Sequence, residues 1–412
     1  MSRNRIIGAV EAGTSKVLVL VAEITQENSI NLIGYSRKNS AGVKKGEIIN
    51  FKEASTVTHA AIAEAEQMAG LNIDGIQLSI TGRHLQGIFN KGASHVSSHD
   101  GRVVEQDIQR AIDDAKSRRL PEKRIYIHHI RNPFYLDGKP LKAPLGMAGE
   151  NLEVSFWSVH ADEDTIGNYL HIINGFGLGV DDMIVSSICS GEAVVFPQMK
   201  ETGALVIDIG RGTTDYALYR SGYIVHTGVV CVGGDHFTND LSSGLRINAR
   251  EAEQLKKSEG SLISEEMNND GKIWLRGDLS IGDRAFPSSS IYSILHSRAE
   301  ELLKVIKDDL QDFLQPEDTE GFHVILTGGG SQLRGMVDLA NEIFELPAEI
   351  GTPPNWVDES LRIPENSTAM GLLLYAANHQ MQRGTLGGST TSQGGLLGKI
   401  KNIFQPRKAQ AV

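Results

Sequence analysis

The chain has 412 residues, of which 40% are hydrophobic and 22% charged, and its formal net charge is −11. A chain of this size can bury a large core and divide into two or more domains, while its negative charge argues against general nucleic-acid binding. Two cysteines, Cys189 and Cys231, are too few for a disulfide framework, and no apolar run approaches the roughly 20 residues that span a bilayer. These features agree with a large cytosolic protein, which could act at a membrane only from its surface.

The first predicted element is a β-hairpin with a polar tip. Apolar runs at 5–10 and 17–21 predict its strands, and its tip is Glu11-Ala12-Gly13-Thr14-Ser15-Lys16. A glycine there lets the backbone turn tightly and bring N–H groups close to a phosphate, and the hydroxyls add donors. The acid before the glycine can hold a hydrated Mg²⁺ or orient a water. The predicted phosphate contacts are Gly13, Thr14, Ser15 and Lys16. If the hairpin stood alone, an ordinary turn without a binding role would be the alternative.

A helix is predicted at 60–69 and a strand at 76–80. The sequence pattern then changes, which indicates an insertion. From about Leu85 to Val159 we expect a separate subdomain within the first half of the chain. Its predicted elements are a helix at 105–119, strands at 125–130 and 152–159, and a proline- and glycine-rich loop at 132–149. A cap over a bound nucleotide is an alternative role for this insert.

The middle of the chain repeats the hairpin pattern. Apolar runs at 204–207 and 216–219 flank the tip Asp208-Ile209-Gly210-Arg211-Gly212-Thr213-Thr214-Asp215. Two such hairpins facing each other would clamp a nucleoside triphosphate between two similar lobes. The predicted contacts from this tip are Gly210, Arg211, Gly212, Thr213 and Thr214, with Asp208 holding Mg²⁺ through water.

Two further glycine-containing segments could contact the same nucleotide. Gly233, Gly234 and Asp235 enter a predicted helix, which could approach the nucleotide from the second lobe. A strand at 324–326 precedes three glycines, and a helical pattern continues through Ala340. Glycines that open a helix offer a surface free of side chains beside polarised N–H groups, suited to an adenosine ring or a phosphate. The residues concerned are Gly328, Gly329 and Gly330, and an ordinary strand-to-helix turn is the alternative.

The end of the chain predicts a tethered interfacial helix. Residues 384–395 are a Gly/Ser/Thr tract typical of a flexible linker, and 396–405 follow with helical spacing of apolar residues. No acidic residue and five basic ones occur from Gln380 to the end. A basic amphipathic helix predicts attachment to anionic lipid, and a helix docking on the protein body is the alternative. The predicted membrane contacts are Leu396, Leu397, Ile400, Ile403, Phe404, Lys399 and Lys401.

The order of these motifs resembles the phosphate-1, phosphate-2 and adenosine motifs of the actin/Hsp70/hexokinase ATPase superfamily. Within it, the chain is most similar to the bacterial cell-division actins of the FtsA family. The resemblance implies an α/β fold with two lobes built on duplicated ribonuclease H-like domains, an inserted 1C-type subdomain in the first lobe, and the cofactors ATP and Mg²⁺. Because Glu11 stands where most of the superfamily has Asp, we expect at most slow hydrolysis.

The resemblance also implies a subdomain plan. Subdomain 1A is expected at 1–84, 160–190 and about 368–383, subdomain 1C at 85–159, subdomain 2A at 191–232 and 300–367, and subdomain 2B at 233–299. The linker and the membrane helix follow.

Roles of single residues follow from the same resemblance. Glu192, expected to open the helix after a strand at 183–188, would orient the attacking water beside Asp208 and Glu11, although a carboxylate also suits a first helical turn. Glu253 and Lys256 would reach the adenosine, or form a surface ion pair. Arg298 would hold the C-terminal peptide of the tubulin-like FtsZ, or be a solvated helix residue.

The implied partners are FtsZ, further copies of the chain in filaments, anionic lipid, and later division proteins that contact the 1C insert. The implied place is the cytoplasmic face of the membrane at the division site. Two other functions remain open on the sequence: a cytosolic actin-like adaptor of the pilus-assembly type, and a small-molecule kinase of the same superfamily.

Overall fold

A computed structural model of the chain describes residues 5–25, 29–263, 271–275, 283–315 and 319–385. The predicted membrane helix at 396–405 and nearly all of the predicted linker lie outside the described residues.

The strands are β1 Arg5–Ala12, β2 Lys16–Ile24, β3 Ile30–Asn39, β4 Val43–Lys44, β5 Glu47–Ile48, β6 Gly75–Ile80, β7 Gln86–His95, β8 Arg124–Leu136, β9 Lys139–Leu141, β10 Asn151–Asp162, β11 Gly179–Val185, β12 Ala204–Ile209, β13 Thr214–Arg220, β14 Tyr223–Val230, β15 Lys272–Leu275, β16 Arg284–Pro287, β17 His323–Thr327 and β18 Ala348–Ile350. The α-helices are α1 Phe51–Ala69, α2 Glu105–Lys116, α3 Glu163–Gly175, α4 Ser186–Val194, α5 Pro197–Thr202, α6 Gly234–Leu245, α7 Ala249–Glu259, α8 Ser288–Asp309, α9 Met336–Phe344 and α10 Ser367–Thr385. Short 3₁₀ helices occur at Gly329–Gln332 and Pro364–Asn366.

Two five-stranded sheets have the same plan. In the first lobe the order is β11-β6-β1-β2-β3, and in the second it is β18-β17-β12-β13-β14. Each sheet starts from an antiparallel hairpin, β1–β2 or β12–β13, and places a parallel strand beside the first strand of that hairpin. The predicted two-lobed, duplicated α/β fold is therefore confirmed.

Burial explains why these segments are strands. Residues 17–22 of β2 and all of β12 are buried and mostly β-branched or aliphatic, as expected for strands covered on both faces. Helix α1 covers one face of the first sheet. It begins after Asn50, whose Oδ1 accepts a hydrogen bond from the Glu53 N–H at 3.2 Å, and it ends at Gly70 in the left-handed conformation.

The insert forms its own small sheet, in the order β7-β10-β8-β9, which packs with α2 around a separate core. The sequence did not predict β7, because Gly87 and Gly92 weaken its strand pattern. In the structure, both glycines are sites of close packing: a Cβ at Gly87 would overlap the Trp157 ring, and one at Gly92 would overlap the α2 backbone. The predicted loop at 132–149 is also partly wrong, since β8 and β9 occupy part of it.

The insert also touches the second lobe. The indole Nε1–H of Trp157 donates to the Thr227 hydroxyl on β14 at 2.9 Å, and the Trp157 ring lies 4.5 Å from the ring of His226. The contact joins two parts of the chain that are 70 residues apart.

Candidate functional site

The two hairpin tips face each other across a cavity of about 710 Å³. Both tips make the same turn: the Gly13 N–H donates to the Lys16 carbonyl, and the Gly210 N–H donates to the Thr213 carbonyl, each at 2.9 Å. The tips also meet directly, because a Cβ at Gly212 would lie only 2.5 Å from the Thr14 Oγ1. The approach of the two lobes therefore requires glycine at this position.

Most of the predicted site residues line this one cavity. They are Glu11, Gly13, Thr14, Ser15, Lys16, Asp208, Gly210, Arg211, Gly212, Thr213, Gly234, Glu253, Lys256, Gly328, Gly329 and Gly330. Residues far apart in the chain are thus brought together by the fold.

Glu11 forms an incompletely satisfied ion pair at the first tip. Its Oε1 accepts from the Lys16 Nζ at 2.8 Å, while its buried Oε2 has no hydrogen-bond partner among the described residues. Burial raises the pKa of Glu11, and the Lys16 charge opposes that rise. The Lys16 Nζ also donates to the Glu365 carbonyl at 2.6 Å, which ties the hairpin to the segment before α10.

Asp208 occupies the equivalent position at the second tip and is held by hydroxyls. Its Oδ2 accepts from the Ser190 hydroxyl of α4, and from the Thr368 hydroxyl of α10 at 2.7 Å. The sequence did not identify these two residues, because they belong to helices that are far apart in the chain and meet only in the fold. Together they fix the carboxylate at the cavity wall.

Asp215 is a site residue at the end of the second tip, and the sequence pattern indicated no role for it. It lines the cavity, is only 4% exposed, and accepts from the Thr81 hydroxyl at 2.5 Å and the Thr213 hydroxyl at 3.0 Å. Burial raises the pKa of Asp215 to about 7. Because Thr81 follows β6 of the first lobe, this hydrogen bond joins the lobes. Strand alternation, which places Thr213 and Asp215 on one face, was the signal that could have found it.

A second bridge between the lobes lies nearby. The Lys45 Nζ is 2.9 Å from the His236 Nε2 of α6, and the Lys45 backbone N–H donates to the Thr14 hydroxyl at 3.0 Å. Lys45 follows the short strand β4 in a left-handed turn, and no sequence motif pointed to it.

The other end of the cavity lies against α6 and α7. Glu253 accepts from the Lys256 Nζ at 2.6 Å and from the Thr238 hydroxyl at 2.5 Å, and Lys256 also donates to the Gly234 carbonyl at 2.9 Å. Burial alone would raise the pKa of Glu253, but these hydrogen bonds lower it to about 2. Glu253 and Lys256 therefore form an ion pair and also line the cavity, beside Phe237 and Leu333.

Three predicted contacts do not line the cavity. Thr214 faces away, and its hydroxyl donates to the Val232 carbonyl at 2.8 Å. Gly233 packs on the second tip, where a Cβ would lie 2.6 Å from the Gly210 carbonyl oxygen. Asp235 accepts from the Arg211 Nε at 2.7 Å. These residues hold the second hairpin against α6 and do not face the space between the lobes.

The structure contradicts the placement of Glu192. The predicted strand at 183–188 ends at Val185, so α4 begins at Ser186 and Glu192 lies near its end and not in its first turn. The Glu192 carboxylate pairs with the Lys200 Nζ at 2.7 Å and does not line the cavity.

The glycine triplet also differs from its prediction. Gly329–Gln332 forms a 3₁₀ turn, and the α-helix begins only at Met336, after Gly335. Gly328 adopts a left-handed φ of 79°, and a Cβ there would overlap the Asp208 carboxylate. The triplet therefore acts as a turn packed against the second tip.

Arg298 lies on α8, outside the cavity. Its Nε donates to Asp240 of α6 at 2.5 Å, and its guanidinium also pairs with Glu301. The side chain is 23% exposed, so the guanidinium is fixed at the surface of the second lobe.

The cavity suits a phosphate-bearing ligand with a hydrated metal ion. The cavity is lined by the carboxylates of Glu11, Asp208 and Asp215 and by basic side chains that include Lys16, Arg211 and Lys256. The Glu11 Oε2 lacks a hydrogen-bond partner among the described residues. Within the described ranges, no three acidic, histidine or cysteine side chains are grouped to bind a metal directly. These donors therefore fit Mg²⁺ held through water better than a directly coordinated ion. Separately, no helix within 5–385, as far as that range is described, is long and apolar enough to cross a membrane.

Comparison with known proteins agrees with this architecture. A family model described as cell division protein FtsA matches residues 205–371, and one described as the SHS2 domain inserted in FtsA matches residues 82–160. The chain is 31% identical to the cell division protein FtsA of Neisseria meningitidis, over 98% of this chain and 99% of the relative.

Solved structures share the fold at low identity. The PilM-PilN type IV pilus biogenesis complex matches with a TM-score of 0.62 and 16% identity, covering 90% of this chain and 98% of that one. MreB5 of Spiroplasma citri bound to ADP matches with a TM-score of 0.54 and 17% identity, covering 93% and 99%. The actin-like lobes, the insert and the near-complete match to the Neisseria relative show that this chain belongs to the FtsA family of bacterial cell-division proteins.

Proposed function

We propose that the chain binds ATP between its two hairpin tips and uses it mainly as a conformational and assembly ligand. The observation that supports this most is the pair of facing tips, which present backbone N–H groups, hydroxyls and Lys16 to one cavity. The related fold of MreB5, solved with ADP, supports the same ligand class. A ligand that contacts both lobes favours their closed arrangement.

Each part of the cavity has a proposed role in binding. The N–H groups and hydroxyls of Thr14, Ser15 and Thr213 bind the phosphates, and Lys16 supplies positive charge. Asp208 and Glu11 hold the water shell of Mg²⁺, which neutralises phosphate charge when bound. The adenosine occupies the end formed by α6, α7 and the glycine turn at 328–330, next to Glu253 and Lys256.

Hydrolysis, where it occurs, is proposed to depend on Asp215. This carboxylate faces the cavity, whereas Glu192 does not. A group with a pKa near 7 is partly ionised at neutral pH, so it can accept a proton from an attacking water. Asp215→Asn should slow ATP turnover and leave ATP affinity nearly unchanged. Unchanged turnover would remove Asp215 from the reaction.

The cell-division role is proposed to depend on attachment to the membrane. The amphipathic segment 396–405 binds anionic lipid on the cytoplasmic face, and polymerisation of several copies makes this weak attachment stable. Arg298 on the second lobe contributes to binding the C-terminal peptide of FtsZ, and the insert at 85–159 contacts later division proteins. The chain thereby links a tubulin-like filament to the membrane.

Co-sedimentation with anionic vesicles tests the attachment. The full chain and a chain ending at Gly395 are compared with and without ATP. The proposal predicts that the full chain pellets with vesicles and that the truncated chain remains in the supernatant. If both remain in the supernatant, the membrane role fails and a cytosolic adaptor or a kinase becomes the better account.

A further inference from the structure

An apolar groove runs along the edge of the first lobe, away from the nucleotide cavity. Strand β3 is the last strand of its sheet, and a cavity of about 550 Å³ lies beside it. The groove lies between residues 30–35 of β3, Met68 of α1 and the segment 356–361 before α10. None of these residues has a part in the proposed nucleotide site.

The walls of the groove are exposed apolar side chains. Met68, near the end of α1, is 57% exposed, and Trp356, in the segment before α10, is 47% exposed. The floor is a strand edge: the Tyr35 N–H, which points out of the sheet, donates to the Met68 Sδ at 3.4 Å instead of to another strand. An exposed apolar surface beside a strand edge is a site at which another chain segment packs.

The rim of the groove favours a basic occupant. Helix α1 ends at Ala69 with no basic residue in its last turn. The Gly70 N–H caps the Glu66 and Gln67 carbonyls, and the partial negative charge at this carboxyl end favours a nearby cation. On the opposite wall, Asp358 and Glu359 are exposed, and Ser360 orients the Asp358 carboxylate through hydrogen bonds of 2.9 and 2.6 Å. An apolar segment that carries lysines would match both the walls and the rim.

The end of this same chain has that composition. Residues 396–404 contain five large apolar side chains and two lysines, with no acidic residue. The ten residues between Thr385 and Leu396 can span up to about 35 Å. Helix α10, of 19 residues, is about 28 Å long and begins six residues after Leu361 of the groove. The tail is therefore long enough to return along α10 to the groove.

We infer that segment 396–404 docks in the groove between Met68 and Trp356 when no membrane is present. The same apolar face would then bind either the protein body or the lipid surface, and docking would compete with membrane attachment. This inference rests on the proposed function of the tail as a membrane anchor, but docking itself can be measured without lipid.

The first test uses a fluorescently labelled peptide of residues 396–412 and the chain ending at Gly395. Fluorescence anisotropy should show saturable binding that Met68→Ala and Trp356→Ala, which truncate the apolar walls without adding charge, each weaken at least tenfold. Trp274→Ala, which truncates another exposed tryptophan outside the groove, should leave binding unchanged. A scrambled peptide of the same composition should bind weakly. Absence of binding, or equal binding by both groove variants and the wild type, would overturn the inference.

The second test measures vesicle affinity of the full chain. If nine-tenths of the free chain is docked, removing the dock raises apparent vesicle affinity about tenfold. Met68→Ala should therefore bind anionic vesicles more tightly than the wild type, and equal affinity would contradict the inference. If the truncated chain forms a dimer that Met68→Ala abolishes, the occupant is a second copy and the inference is wrong. If the peptide docks in the groove but the full chain fails to bind vesicles, docking of the tail is supported and its role as a membrane anchor is refuted.

Discussion

Replacing Asp215 with asparagine should change how the stability of the nucleotide-free protein depends on pH. The carboxylate is buried between the lobes and accepts hydrogen bonds from Thr81 and Thr213. Asparagine has nearly the same shape, and its amide can keep a hydrogen bond to each hydroxyl. The substitution therefore removes the charge and leaves the packing nearly unchanged.

The size of the effect follows from the pKa of Asp215. Burial raises this pKa from 3.8 to about 7, so the native state holds a proton that the unfolded state releases between these values. Wild-type stability then falls as pH rises from about 4 to 7, by roughly 4 kcal/mol in total, and changes no further above pH 7. The variant does not lose this stability. Its free energy of unfolding should therefore exceed that of the wild type by an amount that grows from about pH 4 to 7 and stays constant above pH 7.

Scanning calorimetry between pH 4 and 8 measures this difference. The midpoints of wild type and Asp215→Asn should approach each other near pH 4, and the variant should unfold at the higher temperature at pH 8. Other titrating groups are common to both proteins and cancel in the comparison. Asp235→Asn, which changes a carboxylate outside the cavity, serves as the control and should follow the wild-type profile. Parallel midpoints for wild type and Asp215→Asn at every pH would show that burial does not raise the pKa of Asp215.

Three further substitutions have definite expected outcomes. Glu192→Gln should leave ATP turnover unchanged, because Glu192 pairs with Lys200 outside the cavity; a several-fold loss of turnover would contradict this. Burial lowers the pKa of His84 to about 4, so stability should be lost as pH falls below 6.5, and His84→Leu should reduce that loss in acid melts. Trp157→Phe removes the hydrogen bond to Thr227 and should cost about 1 kcal/mol, seen as faster proteolysis of the insert; an unchanged cleavage rate would count against that contact.

The sequence predicted the elements that a local pattern of residues defines. Both hairpins were predicted, because apolar strands around a glycine tip are a local pattern. The glycine turn at 328–330 was placed correctly but was assigned to the start of an α-helix, since φ at Gly328 depends on packing against Asp208. Strand β7 was missed because its glycines are required by contacts with Trp157 and α2, which are distant in sequence.

The chemistry at the cavity could be predicted only in part. Glu11 and Asp208 stand directly before the glycines and were recognised from that position. Their partners Ser190 and Thr368 come from two helices that meet only in the fold. Glu192 was placed wrongly because the strand before it ends three residues earlier than predicted, which rotates the carboxylate away from the site.

In the proposed complex, the phosphates of ATP lie at the hairpin tips. Ser15 and Ser258 are both exposed and line opposite ends of the same cavity, so Ser15→Glu and Ser258→Glu form a matched pair. A carboxylate about 5 Å from a phosphate charge costs about 3 kcal/mol at an effective dielectric constant near 20, which is more than a tenfold loss of affinity. Calorimetric titration with ATP and Mg²⁺ should show binding by the wild type, a loss of more than tenfold in Ser15→Glu, and a much smaller change in Ser258→Glu. Wild-type affinity in Ser15→Glu would show that the phosphates do not lie at the first tip, and no binding by the wild type would show that the cavity does not bind ATP.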